Sequence, residues 1–275
     1  MSWFAVRVAL PDEASRAAVV GALVAAGASA VQERTGELVT HLTGDTDFAA
    51  LEVAVHSAGG GQIDRTLLPD ADWAAEWKTR VGIQRLGRIA IAPPWLAAQI
   101  ADAEIPVIIE PAMAFGTGEH ETTRGVLTLM QDVVAAGQTV ADLGAGSAVL
   151  AIAAVKLGAR RAIAIEVDHD AMGNADENIA RNDVGDRVTL IRGDAVVLLP
   201  LVAPVQVILA NIISSVLVEL SPVMRRALSK GGRAILSGIL VAEREQFVEA
   251  LAADGWTVER ELAEGDWWSG VAVPR

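Results

Sequence analysis

A glycine turn and an acidic residue about 20 positions later have the types and spacing of a nucleoside-binding site. The turn reads DLGAGSA from Asp142 to Ala148. Gly144 and Gly146 allow a tight turn and a close approach of a ligand to the backbone, and the helix predicted after the turn presents free N–H groups. Glu166 ends the next predicted strand, where an acid accepts hydrogen bonds from ribose hydroxyls. The combination predicts a cofactor that carries a ribose.

The glycine pattern favours S-adenosylmethionine over a dinucleotide. A dinucleotide fingerprint has Gly or Ala at its last position, where this chain has Val149. Asp142 precedes the first glycine, and a carboxylate there repels pyrophosphate but suits the cationic amino-acid end of S-adenosylmethionine. Asp142 can instead cap a helix or make a structural hydrogen bond. The turn therefore predicts a methyltransferase.

Two further polar residues follow predicted strands. Asn211 ends the strand ILAN, and its side chain offers both an amide N–H and a carbonyl oxygen. It can orient a substrate amine towards the cofactor methyl group, or it can satisfy loop backbone. Asp194, after the strand that ends in RGD, can meet an adenine amino group or serve as a turn residue.

The elements that position these residues divide the chain into three parts. Residues 1–68 read as βαββαβ, the order of a ferredoxin-like α+β domain. Residues 69–95 read as a linker with a helix that carries Trp73 and Trp77 four positions apart; these can touch substrate, but packing against a neighbouring domain is the favoured role.

Residues 96–275 alternate short apolar strands with helices, which predicts a Rossmann-like, doubly wound, mostly parallel sheet of the α/β class. The pattern predicts two successive strands, 187–194 and 204–211, then a helix that ends at Gly231, and a final strand pair joined by AEGD. Ligands of such sheets bind at the carboxyl ends of the strands.

The segments PAMAFGTGEHETT, DLGAGSAVLAIAAVKLGA, ILANI and ILSGIL, in this order, resemble those of the bacterial ribosomal protein methyltransferases of the PrmA type. The resemblance implies a class I S-adenosylmethionine-dependent methyltransferase that modifies amino groups (a Lys side chain, the N-terminal amine or both) of large-subunit ribosomal protein L11. It implies that the N-terminal domain recognises the substrate.

The same resemblance implies roles for individual residues. Thr123 would contact the cofactor, and Phe115 and Gly116 of the same segment would line the pocket. Thr123 could instead cap the helix that follows. Gly144 would contact the cofactor, Glu166 would bind its ribose, and Asn211 would be a binding residue. The same three residues were chosen above from their types and spacing alone.

The chain departs from the family pattern at three positions. Ala148 replaces the last glycine of the turn, Glu166 stands where Asp is common, and Glu119 occupies a variable site near the expected substrate entrance. These departures bear on the substrate more than on methyl transfer. His120 can be a general base, but a His in a glycine loop more often holds the loop by hydrogen bonds.

The composition and net charge of the chain argue against several classes of function. The 275 residues carry a net charge of −13 and no Cys, which argues against a nonspecific nucleic-acid binder and excludes a thiol nucleophile. The acidity suits a basic protein partner or simply solubility. Four scattered His residues predict no metal site. With no signal peptide pattern and no long apolar run, we expect a cytoplasmic monomer that does not enter a membrane.

Three other functions stay open at this point. A methyltransferase of the same build can act on another protein or on a small amine. A nicotinamide-dependent oxidoreductase uses a related fold, although Val149 and Asp142 count against it. A noncatalytic binding module would not need Thr123, Gly144, Glu166 and Asn211 together.

Overall fold

The computed structural model describes residues 3–28, 30–34, 36–68, 81–111 and 118–275. The chain divides into two compact units, residues 1–81 and 82–275. The predicted linker helix with Trp73 and Trp77 lies outside the described residues, as do Phe115 and Gly116. In the described part, no helix is long and apolar enough to cross a bilayer.

The N-terminal unit has the predicted ferredoxin-like arrangement. Its four antiparallel strands have the order β2-β3-β1-β4, and its helices α1 and α2 pack against each other. Val and Leu side chains of the strands and helices form its buried core. Asp47 caps α2 by accepting hydrogen bonds from Ala49 N and Ala50 N. The elements are β1 (Trp3–Ala9), α1 (Arg16–Ala25), β2 (Val31–Arg34), β3 (Glu37–Thr43), α2 (Phe48–Ser57) and β4 (Ile63–Leu68).

The second unit begins with a three-stranded sheet that the sequence analysis did not anticipate. Its strands are β5 (Gln84–Leu86), β6 (Ile89–Ala92) and β7 (Ile105–Ile108), in the order β5-β6-β7. β5 and β6 fall in the stretch that was expected to be linker. β6 reads IAIA and is buried along its whole length, so its pattern lacks the polar alternation of a half-buried strand.

The large sheet is α/β and mostly parallel, as predicted. Its strand order is β10-β9-β8-β11-β12-β14-β13, and β14 alone runs against the others, antiparallel to its neighbours β12 and β13. The chain runs outward from β8 to β10 and then returns to the other side of β8 with β11, so the order reverses between β8 and β11. The strands are β8 (Thr139–Leu143), β9 (Arg161–Glu166), β10 (Val188–Arg192), β11 (Val205–Asn211), β12 (Leu228–Leu240), β13 (Trp256–Glu264) and β14 (Trp267–Pro274).

Helices cover both faces of this sheet, which makes it doubly wound. The first three pack with one buried cluster, and the last three pack with the cluster on the opposite face. Neighbouring residues of β8 show the division, because Val140 belongs to the first cluster and Ala141 to the second. The helices are α3 (Glu121–Met130), α4 (Val149–Lys156), α5 (His169–Arg181), α6 (Ala195–Val202), α7 (Ser214–Ala227) and α8 (Arg244–Ala253).

Two sequence-based element predictions were wrong. The helix expected to end at Gly231 ends at Ala227, and β12 begins at Leu228, so local helix-forming sequence yields to pairing with β11 and β14. Helix α6 was not predicted from the sequence. It lies between β10 and β11, which were predicted to follow each other directly. Pro200 lies inside that helix, and a proline in an apolar run predicts an interruption.

Candidate active site

A cavity of about 1050 Å³ opens at the carboxyl ends of the central parallel strands. Gly144 follows β8, Glu166 ends β9, Asp194 follows β10 and Asn211 ends β11, and all four line the cavity. The strand order reverses between β8 and β11, and such a switch point is where open α/β sheets bind ligands. Four of the strand-end residues chosen from sequence therefore meet in one place.

The glycine turn forms the floor of this cavity. Gly144 and Gly146 have φ values of +67° and +52°, in the left-handed region that favours glycine. A Cβ added at Gly144 would lie 3.1 Å from Cγ1 of Ile212. A side chain at this position would strain the turn and take up room beside the cavity.

Glu166 supports the turn from the neighbouring strand. Its side chain is 7% exposed. One carboxylate oxygen accepts a hydrogen bond from Gly146 N at 2.7 Å, and the other accepts from Asp168 N at 2.9 Å. A carboxylate has about four acceptor positions, so each oxygen keeps capacity for a ligand hydroxyl. Glu166 thus holds the turn and faces the cavity.

Asp142 occupies a different environment from the one expected of a ligand-binding carboxylate. It is fully buried, does not line the cavity, and accepts a hydrogen bond through Oδ2 from Ala151 N at 2.9 Å. Among the described residues, Oδ1 has no hydrogen-bond partner. Burial raises the pKa of Asp142 to about 7, the Ala151 N–H lowers it, and the charge of Glu166 raises it. This geometry corresponds to the structural alternative, and the expected contact of Asp142 with a cofactor has no counterpart in it.

Asn211 is oriented by two threonine hydroxyls. Its Nδ2 donates to Oγ1 of Thr122 at 3.1 Å and to Oγ1 of Thr123 at 3.3 Å. Both threonines are buried in the first turn of α3. Since the amide nitrogen is engaged with α3 and the residue lines the cavity, the carbonyl oxygen Oδ1 is the end of the side chain that can accept a hydrogen bond from a ligand.

His120 caps α3 and contributes to the same network. Its Nδ1 accepts from Thr122 N at 3.3 Å and lies 2.9 Å from Oγ1 of Thr122. The neutral ring therefore carries its proton on Nε2. The ring also packs edge-on against Trp267, with centroids 5.1 Å apart. His120 thus holds the loop, and the cap of α3 is His120 rather than Thr123.

Several residues that line or support the cavity were missed by sequence reasoning. Thr122 orients Asn211 together with Thr123. The sequence analysis singled out Thr123 alone, although the two threonines are neighbours in the chain. Ser237 anchors the same turn of α3 by donating to Thr122 O at 3.1 Å. Trp267 and Glu219 line the cavity from β14 and α7, and nothing in their local sequence distinguishes them from surface residues.

The charged side chains in the described part of the cavity lining are all acidic. Among the described residues, the charged side chains that line the cavity are carboxylates, and neither Lys nor Arg does so; the carboxylates are Glu166, Asp168, Asp170, Asp194 and Glu219. Opposite charges attract more strongly in a partly enclosed site than in bulk water, so the cavity favours cationic ligands over phosphates. In the described ranges, no three of the His, Asp and Glu side chains are arranged so that they could hold a metal ion.

Comparison with protein families gives a match over nearly the whole chain. The family model described as "Ribosomal protein L11 methyltransferase (PrmA)" matches residues 3–273. A ribosomal protein L11 methyltransferase from Symbiobacterium thermophilum is 37% identical over 221 residues, which cover 79% of this chain and 71% of the relative. One from Thermus thermophilus is 39% identical over 198 residues, covering 72% of this chain and 76% of that protein.

Solved structures extend this similarity to three dimensions. The crystal structure of a ribosomal protein L11 methylase from Lactobacillus delbrueckii subsp. bulgaricus has a TM-score of 0.64 to this chain. It is 29% identical in sequence and covers 71% of this chain and 100% of its own.

Proposed function

The chain belongs to the family of ribosomal protein L11 methyltransferases, and on that basis we propose that it transfers methyl groups from S-adenosylmethionine to amino groups of large-subunit ribosomal protein L11. The acceptor amines are a Lys side chain, the N-terminal amine or both. The observation that carries the proposal is the orientation of Asn211, with its amide nitrogen held by Thr122 and Thr123 and its oxygen available to the cavity.

That orientation fits the geometry of methyl transfer to an amine. S-adenosylmethionine, when bound, supplies a methyl group on a positively charged sulfur. Oδ1 of Asn211 accepts an N–H of the substrate amine and so fixes the direction of the nitrogen lone pair. Alignment of this kind supplies several kcal/mol to a two-reactant step. The amine must be neutral to attack, and the pKa of a Lys amine in water is about 10.4. Partial desolvation at the cavity is expected to lower that pKa.

The residues of the cavity fit S-adenosylmethionine. The glycine turn offers backbone N–H groups and close approach, and Glu166 keeps acceptor capacity for ribose hydroxyls. The carboxylate lining suits a ligand with a sulfonium and an ammonium group. We propose that Gly144, Gly146, Glu166, Thr123 and Asn211 hold the cofactor, with Phe115 and Gly116 completing the site. Asp142 is assigned a supporting role behind the turn.

The acidic lining also weakens the oxidoreductase alternative. A nicotinamide dinucleotide carries a pyrophosphate, and proteins bind such groups with Lys, Arg or helix N-termini. In the described part of the lining, carboxylates take the place of basic side chains. We therefore retain a methyltransferase with another protein or small-amine substrate as the second candidate.

The proposal extends to the partner and its docking. The net charge of −13 favours a basic protein substrate through long-range attraction, and direct binding of nucleic acid is not expected. We propose that the N-terminal ferredoxin-like unit recognises this substrate and that the enzyme works as a cytoplasmic monomer.

Mass spectrometry of purified, unmethylated ribosomal protein L11 tests the proposal. Incubation with the enzyme and S-adenosylmethionine is expected to add mass in steps of one methylene group, and the Asn211→Ala variant is expected to lose this activity. Calorimetry of S-adenosylmethionine and of NAD measures cofactor choice in parallel. Tight binding of S-adenosylmethionine without any mass gain would redirect the search to another substrate, and binding of NAD instead would overturn the proposal.

A further inference from the structure

Three asparagines, two on α5 and one at its C-cap, bind the backbone at the end of β7 and just after it, at Ile108 and Glu110. Asn174, Asn178 and Asn182 are spaced four apart, so they share one helix face. Asn182 accepts from Ile108 N at 2.9 Å and donates to Ile108 O at 2.6 Å. Asn178 accepts from Glu110 N at 2.9 Å, and Asn174 donates to Glu110 O at 3.3 Å. The side-chain amides thus take the place of a neighbouring strand along the edge of β7.

Asn178 differs from the other two because it also reaches the glycine turn. Its Nδ2 donates to Ser147 O at 3.2 Å. The side chain is fully buried, and its Oδ1 accepts a second hydrogen bond from Arg181 at 2.9 Å. One residue therefore connects the turn that forms the cavity floor with the backbone of Glu110.

Asn178 is fully buried between two backbone segments, the glycine turn and the residues that follow β7. Burial of an Asn that binds two separate backbone segments is costly unless all its polar groups are paired. Packing alone would be satisfied by an apolar side chain of similar size, so the amide is explained by the link it makes.

We propose that Asn178 is a positioning residue of the cofactor site, holding the glycine turn in register with the backbone of Glu110. The inference rests on the proposed function, because its readout is the binding of S-adenosylmethionine. Loss of the link is expected to weaken cofactor binding more than substrate binding, since it moves the cavity floor and leaves the Asn211 network intact.

Asn182→Leu provides a matched control for Asn178→Leu. Both variants remove a buried amide that binds the same segment, but among the described residues Asn182 makes no hydrogen bond to the turn. We expect both to lower the thermal midpoint. We expect Asn178→Leu to raise the Kd and the KM for S-adenosylmethionine about tenfold, the effect of one lost buried hydrogen bond. The KM for the protein substrate should change by less than about twofold, and Asn182→Leu should keep a cofactor Kd close to that of the wild type.

Asn178→Asp covers the case in which Asn178→Leu does not fold. The carboxylate keeps the acceptor for Glu110 N and Arg181 but cannot donate to Ser147 O, and it is expected to raise the cofactor Kd by a similar factor. An unchanged Kd in Asn178→Asp, or equal cofactor affinities in the Asn178→Leu and Asn182→Leu variants, would overturn the inference. If the wild-type enzyme itself does not bind S-adenosylmethionine, the proposed function fails, and the inference fails with it for that separate reason.

Discussion

Backbone forms the floor of the cavity, whereas side chains form the opposite wall. The floor, from Gly144 to Ala148, is a backbone structure whose shape depends on left-handed φ values and on the buried carboxylates behind it. The opposite wall is a network of side chains, in which His120, Thr122 and Asn211 share hydrogen bonds. The floor therefore tolerates few changes of backbone conformation, whereas the wall depends on the identity of single polar atoms.

This contrast predicts different responses to mutation. Changes in the floor should act through cofactor affinity and stability. Changes in the wall should act on turnover, because Asn211 is proposed to align the substrate amine. Single substitutions in each region separate the two responses.

Asn211→Ala should cause the largest loss. Removing one oriented polar group from an active site lowers kcat by about 10²- to 10³-fold, and here the loss should appear mainly in kcat because the lone pair of the amine is no longer aligned. Steady-state methyl transfer to the protein substrate measures this. Thr123→Val removes one of the two acceptors of Nδ2 and leaves Thr122 in place. Because Thr123 is also proposed to hold the cofactor, this variant is measured at saturating S-adenosylmethionine, where its kcat should fall less than that of Asn211→Ala. Equal kcat in Asn211→Ala and the wild type would remove Asn211 from the mechanism.

Asp142 should make the stability of the second unit depend on pH. Its folded pKa of about 7 lies above the unfolded value of about 3.9, so between these values the folded state binds more protons than the unfolded state. Stability contributed by this group is therefore present below about pH 4 and is lost as the pH rises through about 7, on the order of a few kcal/mol in total.

Urea unfolding of the wild type and of Asp142→Asn at several pH values measures the effect. The difference in unfolding free energy, wild type minus variant, should fall as the pH rises from about 4 to about 7. Other carboxylates contribute equally to both proteins and cancel in this difference. Parallel stability curves would show that Asp142 is not neutralised by its burial.

The contrast between floor and wall also explains what could be predicted from sequence. Gly144, Gly146 and Glu166 could be placed at one site from the sequence because a glycine turn and a strand-end acid have a fixed spacing along the chain, and all three line the cavity. Asn211 was found as a polar strand end, and its strand, β11, follows from the apolar pattern. These signals are local, as were those for the ferredoxin-like order of the first unit and for the strand pair at the C-terminus.

The remaining features depend on contacts between distant parts of the chain. Thr122 and Ser237 meet across 115 positions, and the hydrogen bond of Asn178 to Ser147 spans 31; no local pattern encodes either. The expected contact of Asp142 with a ligand failed for a related reason, because the sequence indicates that Asp142 lies near the end of β8 but not which way its side chain points. The start of β12 at Leu228 depends on its pairing with strands elsewhere.

Gly144→Ala should weaken cofactor binding by about tenfold or more, as expected for 1–2 kcal/mol of backbone strain at a ligand-binding turn. The added Cβ would also press on Ile212 at 3.1 Å. Gly137→Ala is the matched control, because Gly137 has a φ of +84° and open space around its Cα. Both variants should lose stability, and calorimetry should show a cofactor defect in Gly144→Ala alone. A normal Kd in Gly144→Ala would show that the turn does not contact the cofactor closely.

Ala148→Gly should produce the smallest effect and the one with the opposite sign. Ala148 caps α4 with a φ of 63° and a ψ of 16°, a conformation that costs a residue with a Cβ about 1–2 kcal/mol. Glycine relieves this strain but gains entropy in the unfolded chain, so the net stabilisation should be about 1 kcal/mol, or about 2–4 °C in the thermal midpoint. Ala145→Gly, three positions earlier in the same turn, has no positive φ to relieve and should destabilise. If both variants shift the thermal midpoint in the same direction, the left-handed conformation of Ala148 is not a source of strain. The shape of the cavity floor would then depend less on left-handed φ values than the contrast with the side-chain wall requires.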